Sequence, residues 1–239
     1  MKAAILQCDR VLEKFRPRFG DYPQMIERMF ADAGYRNIEF DRFDCVAGDY
    51  PRDLQAYDFY ITTGSKADAH GDEPWVLQLI DFFRQLDQHR RKTVGICFGH
   101  QIMALALGGR VERAPQGWGI GIAVNRMVTY PDWMPDTAED RPRELRLIVS
   151  HRDQVSLLPG QGETVIAESD FCPYFVVQWN AHFLSVQGHP EWQRDYARAL
   201  MEDRRDLYSP EQIEAGLASL EQEPDNRLFT RWISAFVAT

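Results

Sequence analysis

The chain has 239 residues, of which 44% are hydrophobic and 26% charged, a composition ordinary for a globular protein with one substantial core. Its formal net charge is −9 and it contains no dense basic run, which argues against a nucleic acid or an anionic membrane as partner. No apolar stretch approaches the length of a membrane span, and the N-terminal apolar run is too short for a signal peptide.

The four cysteines show neither a CxxC pair nor the spacing of a zinc site. We therefore expect reduced thiols, no metal site and no cofactor. Reduced thiols together with the lack of a targeting segment favour a cytoplasmic location.

The first half of the chain alternates strands and helices. Strands are predicted at 2–7, 37–43, 57–63 and 92–96, and helices at 24–33, 75–89 and 102–107, with a charged loop at 10–22. This alternation is typical of a parallel sheet covered on both faces.

The second half is rich in strands and then ends in helices. Strands are predicted at 110–114, 120–129, 145–150, 163–168, 174–179 and 182–187, and helices at 195–205, 210–220 and 228–237. No repeat or linker interrupts the chain, so a single domain over 1–239 is predicted, with C-terminal helices in 193–239. The fold class is α/β: a mostly parallel central sheet, helices on both faces and a β-rich insertion.

The sequence around Cys97 is typical of a nucleophile elbow. A β-branched strand leads into Gly95-x-Cys97-x-Gly99, and a helical pattern follows at once. Glycines on either side relieve crowding where the backbone bends sharply. The residue at the apex projects its side chain out of the sheet, and the N-terminus of the next helix favours a negative charge on it. The sequence therefore predicts Cys97 as a nucleophile.

Two residues with acid–base side chains follow the strand predicted at 182–187. Residues two apart in extended backbone point to the same face, so His189 and Glu191 are expected to be neighbours, with Pro190 holding the backbone between them. A carboxylate beside an imidazole fixes its tautomer and stabilises its charged form. Because the carboxyl ends of parallel strands share one crevice, we expect this pair to meet Cys97.

Two segments of the chain resemble the two sequence signatures of class I glutamine amidotransferases. They are Gly95-Ile96-Cys97-Phe98-Gly99-His100-Gln101 and Gln187-Gly188-His189-Pro190-Glu191. The resemblance runs from the first strand to about residue 191 and includes 61–65 and 150–153. Within that family the chain looks closest to free-standing proteins related to the amidotransferase domain of GMP synthase, and to γ-glutamyl peptidases. It implies a flavodoxin-like sheet topology.

The resemblance also implies a catalytic role for five positions. Cys97 would be the nucleophile, His189 the general base and acid, and Glu191 the carboxylate that orients it. The backbone N–H groups of Gly64 and Phe98 would be the oxyanion donors.

Three further positions are implied to contact the substrate. Gln101 would bind the γ-glutamyl group, and Ser150 and His151 would hold its α-amino and α-carboxylate groups. One position departs from the pattern, since biosynthetic members often carry a bulky aromatic residue where this chain has Gly188. That departure predicts extra space beside the base for a leaving group larger than ammonia.

The implied activity is hydrolysis of a γ-glutamyl amide, either glutamine or a γ-glutamyl peptide or amine, through a glutamyl thioester. The partner would then be a small γ-glutamyl molecule. Two alternatives stay open from the sequence. The chain could be a glutaminase subunit that delivers ammonia to a separate synthetase, or a catalytically silent binding module of the same fold.

Overall fold

The computed structural model describes residues Met1–Thr239 and contains eleven strands and seven α-helices. The strands are β1 (Lys2–Gln7), β2 (Glu39–Asp44), β3 (Phe59–Thr62), β4 (Thr93–Ile96), β5 (Arg110–Arg113), β6 (Gly119–Met127), β7 (Glu144–His151), β8 (Asp153–Leu157), β9 (Thr164–Glu168), β10 (Val176–Gln178) and β11 (Phe183–Val186). The helices are α1 (Arg16–Phe19), α2 (Tyr22–Asp32), α3 (Pro74–Gln88), α4 (Phe98–Leu107), α5 (Arg194–Asp203), α6 (Pro210–Ser219) and α7 (Asn226–Val237).

Nine of the strands form one sheet in the order β2-β1-β3-β4-β11-β10-β9-β6-β7. The part from β2 to β11 is entirely parallel. If β11 is counted as the fifth strand, this part has the 2-1-3-4-5 order of flavodoxin-like folds, which confirms the predicted fold class. Ligands bind such sheets outside the carboxyl ends of the strands, where β3, β4 and β11 end side by side.

The β-rich insertion extends the same sheet. Strands β10, β9, β6 and β7 pair antiparallel beyond β11, and β5 and β8 form a separate two-stranded sheet. Strand β8 was not predicted from the sequence. It forms because its backbone pairs with the distant β5, with Val155 opposite Val111, and such long-range pairing leaves little local signal.

Helices cover both faces of the sheet, as predicted. Alternate residues of β1 are buried in two different clusters: Ala3 and Ile5 pack in the cluster that includes residues of α2 and α7, whereas Ala4 and Leu6 pack in the cluster that includes residues of α3 and α4. This two-sided burial explains why β1 is a continuous apolar run in the sequence. The two-sided burial is compatible with one domain over residues 1–239, and this domain organisation stays a prediction.

Local signals account for several helix boundaries. The N-cap carboxylate of Asp21 accepts a hydrogen bond from the Tyr22 N–H, and Gln24 completes a capping box at the start of α2. Short helix α1 lies within the segment that was predicted as a loop, and Pro17 occupies its first turn. No helix is long and apolar enough to cross a membrane.

Candidate active site

Cys97 stands at the sharp bend between β4 and α4. Its backbone angles are φ +49° and ψ −94°, a conformation that non-glycine residues rarely adopt. The Cys97 N–H donates a hydrogen bond of 2.8 Å to the carbonyl of Val186, the last residue of β11. The bend is therefore held against the strand that leads to His189.

The two glycines that flank Cys97 are sterically required. A Cβ on Gly95 would lie 2.7 Å from the carbonyl carbon of Gly99, and a Cβ on Gly99 would lie 1.8 Å from Oγ1 of Thr62. Thr62 cannot easily move away, because its Oγ1 accepts a 3.0 Å hydrogen bond from the Ile96 N–H. The predicted crowding at the elbow is thus present on both sides of the thiol.

Replacing Gly99 by alanine should lower the free energy of unfolding by about 3 kcal/mol, because the added methyl group overlaps the Thr62 side chain. Chemical denaturation measures the loss. Adding Thr62→Ala to Gly99→Ala should recover part of it, since the overlapping hydroxyl is removed. A Gly99→Ala protein as stable as the wild type would contradict this account of the elbow.

His189 and Glu191 lie in the turn that follows β11. The Nδ1–H of His189 donates to Oε1 of Glu191 over 2.8 Å, and both side chains are almost fully buried. The backbone leaves the extended conformation here, because the Trp192 N–H donates to the His189 carbonyl over 3.3 Å. The predicted neighbourhood of the two side chains is therefore confirmed, although a turn and not a strand creates it.

The charge state of His189 follows from its surroundings. Burial acts to lower the pKa of His189, but the charges of Cys97 and Glu191 and hydrogen bonds to both raise it to about 10. The carboxylate of Glu191 and the sulfur of Cys97 thus both favour the protonated ring over the neutral one. An imidazolium paired with a thiolate is the arrangement that activates a cysteine nucleophile.

The loop after β3 brings a backbone donor to the same place. A Cβ on Gly64 would lie 2.7 Å from Cε1 of His189 and 3.7 Å from Cβ of Cys97, so the backbone of this loop packs directly on both groups. The Gly64 N–H donates no hydrogen bond within the protein. Phe98 is the first residue of α4, where an N–H has no acceptor within the helix. Both donors are free to bind a developing negative charge.

A cavity of about 420 Å³ opens above Cys97, and three of the residues predicted to bind substrate line it. They are Gln101, Ser150 and His151. The amide Nε2 of Gln101 donates to the Asp153 carbonyl over 2.8 Å and to Oε1 of Gln187 over 3.3 Å. Cys97 and the three residues implied to contact the substrate therefore line one cavity, and their roles stay predictions.

His151 is held as a neutral ring. Burial is the main cause that lowers the pKa of His151 to about 4, and its Nδ1–H donates to the Asp153 carbonyl over 3.2 Å. In that tautomer Nε2 is a hydrogen-bond acceptor.

Residues 26–203 match the family described as glutamine amidotransferase class-I. The chain belongs to this family. γ-Glutamyl peptidase 4 of Arabidopsis thaliana is 35% identical over 181 residues, which cover 74% of this chain and 70% of that protein. A component of the glutamine-hydrolysing GMP synthase of Methanocaldococcus jannaschii is 36% identical over 99 residues, or 41% of this chain and 50% of that protein. The crystal structure of a Thermotoga maritima glutamine amidotransferase superposes with a TM-score of 0.78 at 21% identity, covering 100% of this chain and 98% of that one.

Gly188 does not widen the site, and the expectation of extra space beside the base was wrong. A Cβ at this position would lie 2.9 Å from Cζ of Phe175 and 3.0 Å from Cβ of Leu147, which are core residues. The volume that a side chain would occupy is filled by Phe175. The cavity above the thiol is instead bounded by residues from other segments.

His100 is part of the first signature segment but does not line the cavity that contains Cys97. Its Nδ1 accepts a 2.7 Å hydrogen bond from the Ser185 hydroxyl, which in turn accepts one of 2.7 Å from the indole N–H of Trp179. Burial lowers the pKa of His100 to about 3. The ring is part of the packing between α4 and β11.

The buried neutral ring of His100 should make folding sensitive to acid. The unfolded chain binds a proton here below the ordinary histidine pKa of 6.5, whereas the folded chain does not until about 3. Stability must therefore fall as pH falls through this window. Relative to a His100→Gln variant, the wild type should lose about 1.4 kcal/mol of unfolding free energy per pH unit below 6.5. Urea denaturation of both proteins at pH 7, 6 and 5 measures this, and parallel curves would contradict it.

Two residues at the thiol were not singled out from the sequence. Trp192 stacks on the His189 ring with 3.7 Å between centroids and 13° between planes, and Nε2 of Gln187 donates to the Cys97 sulfur over 3.5 Å. The available signal was nearness in the sequence, since Gln187 lies two residues before His189 and Trp192 directly follows Glu191. No group of three or more His, Cys, Asp or Glu side chains is arranged to hold a metal ion.

Proposed function

We propose that the chain hydrolyses γ-glutamyl amide bonds with a catalytic triad of Cys97, His189 and Glu191. The observation that carries the proposal is the buried 2.8 Å hydrogen bond between His189 and Glu191, next to a thiol on a strained elbow. In such a triad the carboxylate orients the ring, and the ring exchanges protons with the nucleophile and the leaving group.

Three cavity residues suit the glutamyl part of the substrate. The neutral His151 offers Nε2 as an acceptor for an α-ammonium group, and the buried Ser150 hydroxyl has no partner within the protein. Gln101 is held by the Asp153 carbonyl so that it borders the cavity next to the thiol. Together they would orient the γ-carbonyl toward the sulfur.

The reaction then follows in two steps. The Cys97 thiolate attacks the γ-carbonyl carbon, and the resulting oxyanion accepts hydrogen bonds from the N–H groups of Gly64 and Phe98, each worth about 3 kcal/mol. The C–N bond breaks as the His189 imidazolium gives its proton to the departing nitrogen, which leaves a glutamyl thioester. His189 next takes a proton from water, the resulting hydroxide attacks the thioester, and glutamate and the free thiol are released.

The comparison with relatives favours a hydrolase that acts on γ-glutamyl peptides. The relative named γ-glutamyl peptidase 4 matches over 74% of this chain, and the one named γ-glutamyl peptidase 2 is 34% identical over 80% of it. A second candidate is delivery of ammonia to a separate synthetase, which is supported by the match to a GMP synthase component over 41% of the chain. A catalytically silent binding module is disfavoured because every triad position is filled.

The purified full-length protein, without any partner, tests the proposal. It should release glutamate from γ-glutamyl-alanine or glutamine and leave the matched α-glutamyl-alanine intact. Acid quenching during turnover followed by peptide mass spectrometry should find the glutamyl group on Cys97. Failure to release glutamate from any γ-glutamyl compound without a partner would overturn the proposal, and activity that appears only when a synthetase is added would favour the second candidate.

A further inference from the structure

Two arginines line the outer part of the cavity that contains Cys97. Arg152 follows β7 directly, and Arg204 follows the last residue of α5. Both side chains are half-buried, whereas Gln101 and His151 in the same cavity are about 95% buried, at 5% and 4% exposed. The arginines therefore lie nearer the mouth of the cavity than the residues proposed to hold the glutamyl group.

Neither arginine forms an ion pair with a carboxylate of the chain. Of the two carboxylates that line the cavity, Asp153 binds His70 and Arg113, each over 3.3 Å, and Asp68 has no ion pair, so the two unpaired guanidinium groups outnumber the one unpaired carboxylate. The Arg152 guanidinium lies instead over the Trp118 ring, 5.3 Å from its centroid, which fixes its position without neutralising it. Two unpaired guanidinium groups in a chain of net charge −9 mark a local preference for an anion.

Buried hydroxyl groups stand next to Arg204. Tyr208 is 8% exposed and its hydroxyl has no hydrogen-bond partner, and the same lack of a partner holds for the Ser150 hydroxyl at the cavity wall. Ser150 lines the cavity together with Arg152 and Arg204, whereas Tyr208 lies behind this wall and does not line the cavity. A buried hydroxyl without a partner costs free energy, so the Ser150 hydroxyl at the cavity wall is suited to an acceptor brought by a ligand.

The wall formed by Arg204 and its neighbours lies at the boundary of the segment that matches the family. The family match ends at residue 203, immediately before Arg204, Leu207 and Tyr208. This wall is packed onto the site by an edge-to-face contact between Trp118 and Tyr208, with ring centroids 5.7 Å apart. The site therefore combines Trp118 and Arg152 from the matched segment with residues that directly follow it.

We propose that Arg152 and Arg204 bind a carboxylate on the amine that is released from the γ-carbonyl carbon as the Cys97 thioester forms. The enzyme would then prefer γ-glutamyl amino acids and peptides, whose leaving amine carries a free carboxylate, over γ-glutamyl amides that lack one. A planar carboxylate accepts paired hydrogen bonds from a guanidinium, which is the strongest recognition these side chains provide. This inference rests on the proposed hydrolase function.

A pair of substrates that differ only in this charge tests the inference. We expect the wild type to cleave γ-glutamyl-alanine with a kcat/KM at least roughly ten-fold above that for γ-glutamyl-alaninamide, mainly through a lower KM. Arg152→Gln and Arg204→Gln should each reduce this acid-to-amide ratio by about ten-fold, and Arg204→Lys should retain part of it.

Arg205→Gln is the matched control. Arg205 is the neighbouring, exposed residue, it pairs with Glu202 and does not line the cavity, so its replacement should leave the ratio unchanged. Thermal unfolding of each variant shows whether a lower acid-to-amide ratio comes from a damaged fold or from lost recognition of the carboxylate. The comparison of the two substrates on the wild-type enzyme does not depend on the folding of any variant.

Equal cleavage of acid and amide by the wild type would overturn the inference and leave the hydrolase function standing. An equal loss on both substrates in the arginine variants would also overturn it, because the arginines would then act on the glutamyl group or on the fold. No cleavage of either compound would refute both the hydrolase and the inference.

Discussion

Replacing Cys97 by alanine should abolish glutamate release from every γ-glutamyl substrate, with kcat/KM falling by at least about 10⁴-fold. The sulfur is the group that attacks the γ-carbonyl carbon in the proposed mechanism, and the oxyanion donors that remain cannot act without a nucleophile. The fold should survive, because alanine is smaller than cysteine and the elbow backbone is held by the hydrogen bond to Val186. Steady-state kinetics and thermal unfolding on the same preparation measure both effects.

Cys172→Ala serves as the matched control. Cys172 is also buried, at 2% exposed, and burial raises the pKa of its thiol to about 12, so it has no means of acting as a nucleophile near neutral pH. Its replacement should cost stability through lost packing and leave the rate intact. If Cys97→Ala kept its activity, or if Cys172→Ala lost it, the assignment of the nucleophile would be wrong.

The second large effect is expected from Glu191→Gln. Glutamine can accept the hydrogen bond from His189 but carries no charge to stabilise the imidazolium, so kcat/KM should fall on the order of 10³-fold. The side chain is fully buried and its Oε2 has no other partner, so no neighbouring group replaces the lost charge.

The pH dependence of this variant has a definite sign. Burial acts to lower the pKa of His189, and Cys97 and Glu191 together raise it to about 10. Removing the Glu191 charge therefore lowers this pKa, and the basic limb of the kcat/KM profile should move to lower pH. For folding, a raised histidine pKa contributes stability that is complete below pH 6.5 and is lost as pH rises through about 10. Glu191→Gln should therefore lose less unfolding free energy than the wild type as the pH rises above neutral.

Asp140→Asn distinguishes a catalytic carboxylate from a structural one. Asp140 is another buried carboxylate, 8% exposed, which binds Arg231 over 2.9 Å and Thr137 over 2.6 Å away from the thiol. Its replacement should lower the unfolding temperature without moving the pH profile. A Glu191→Gln enzyme whose profile and rate matched those of Asp140→Asn would show that Glu191 only supports the fold.

Much of the candidate site could be predicted from local sequence. The elbow was recognisable because a Cβ at Gly95 or Gly99 would overlap neighbouring atoms, so both positions require glycine. Cys97 is the only residue between the strand and the helix with a nucleophilic side chain. The pairing of His189 with Glu191 was predictable because the two residues are close in the chain. Their roles in catalysis stay predictions until the kinetic experiments are done.

The remaining features depended on contacts between distant segments. Strand β8 exists because β5 lies beside it, and the volume next to Gly188 is filled by Phe175, neither of which leaves a pattern near the residues concerned. The expectation of a wider site failed for this reason: an absent side chain says nothing about which neighbour takes its place. The cytoplasmic location has no structural test and stays a prediction.

The sequence by itself determined the family, the alternation of strands and helices, and the identity of the chemical groups, because hydrophobic period, glycine at a strained bend and short-range motifs are local properties of the chain. Only the tertiary structure decided what surrounds those groups. It stacked Trp192 on the His189 ring, turned His100 into the core, and brought Arg204 to the cavity of Cys97. Such placements depend on close packing between segments far apart in the chain, which no local pattern encodes.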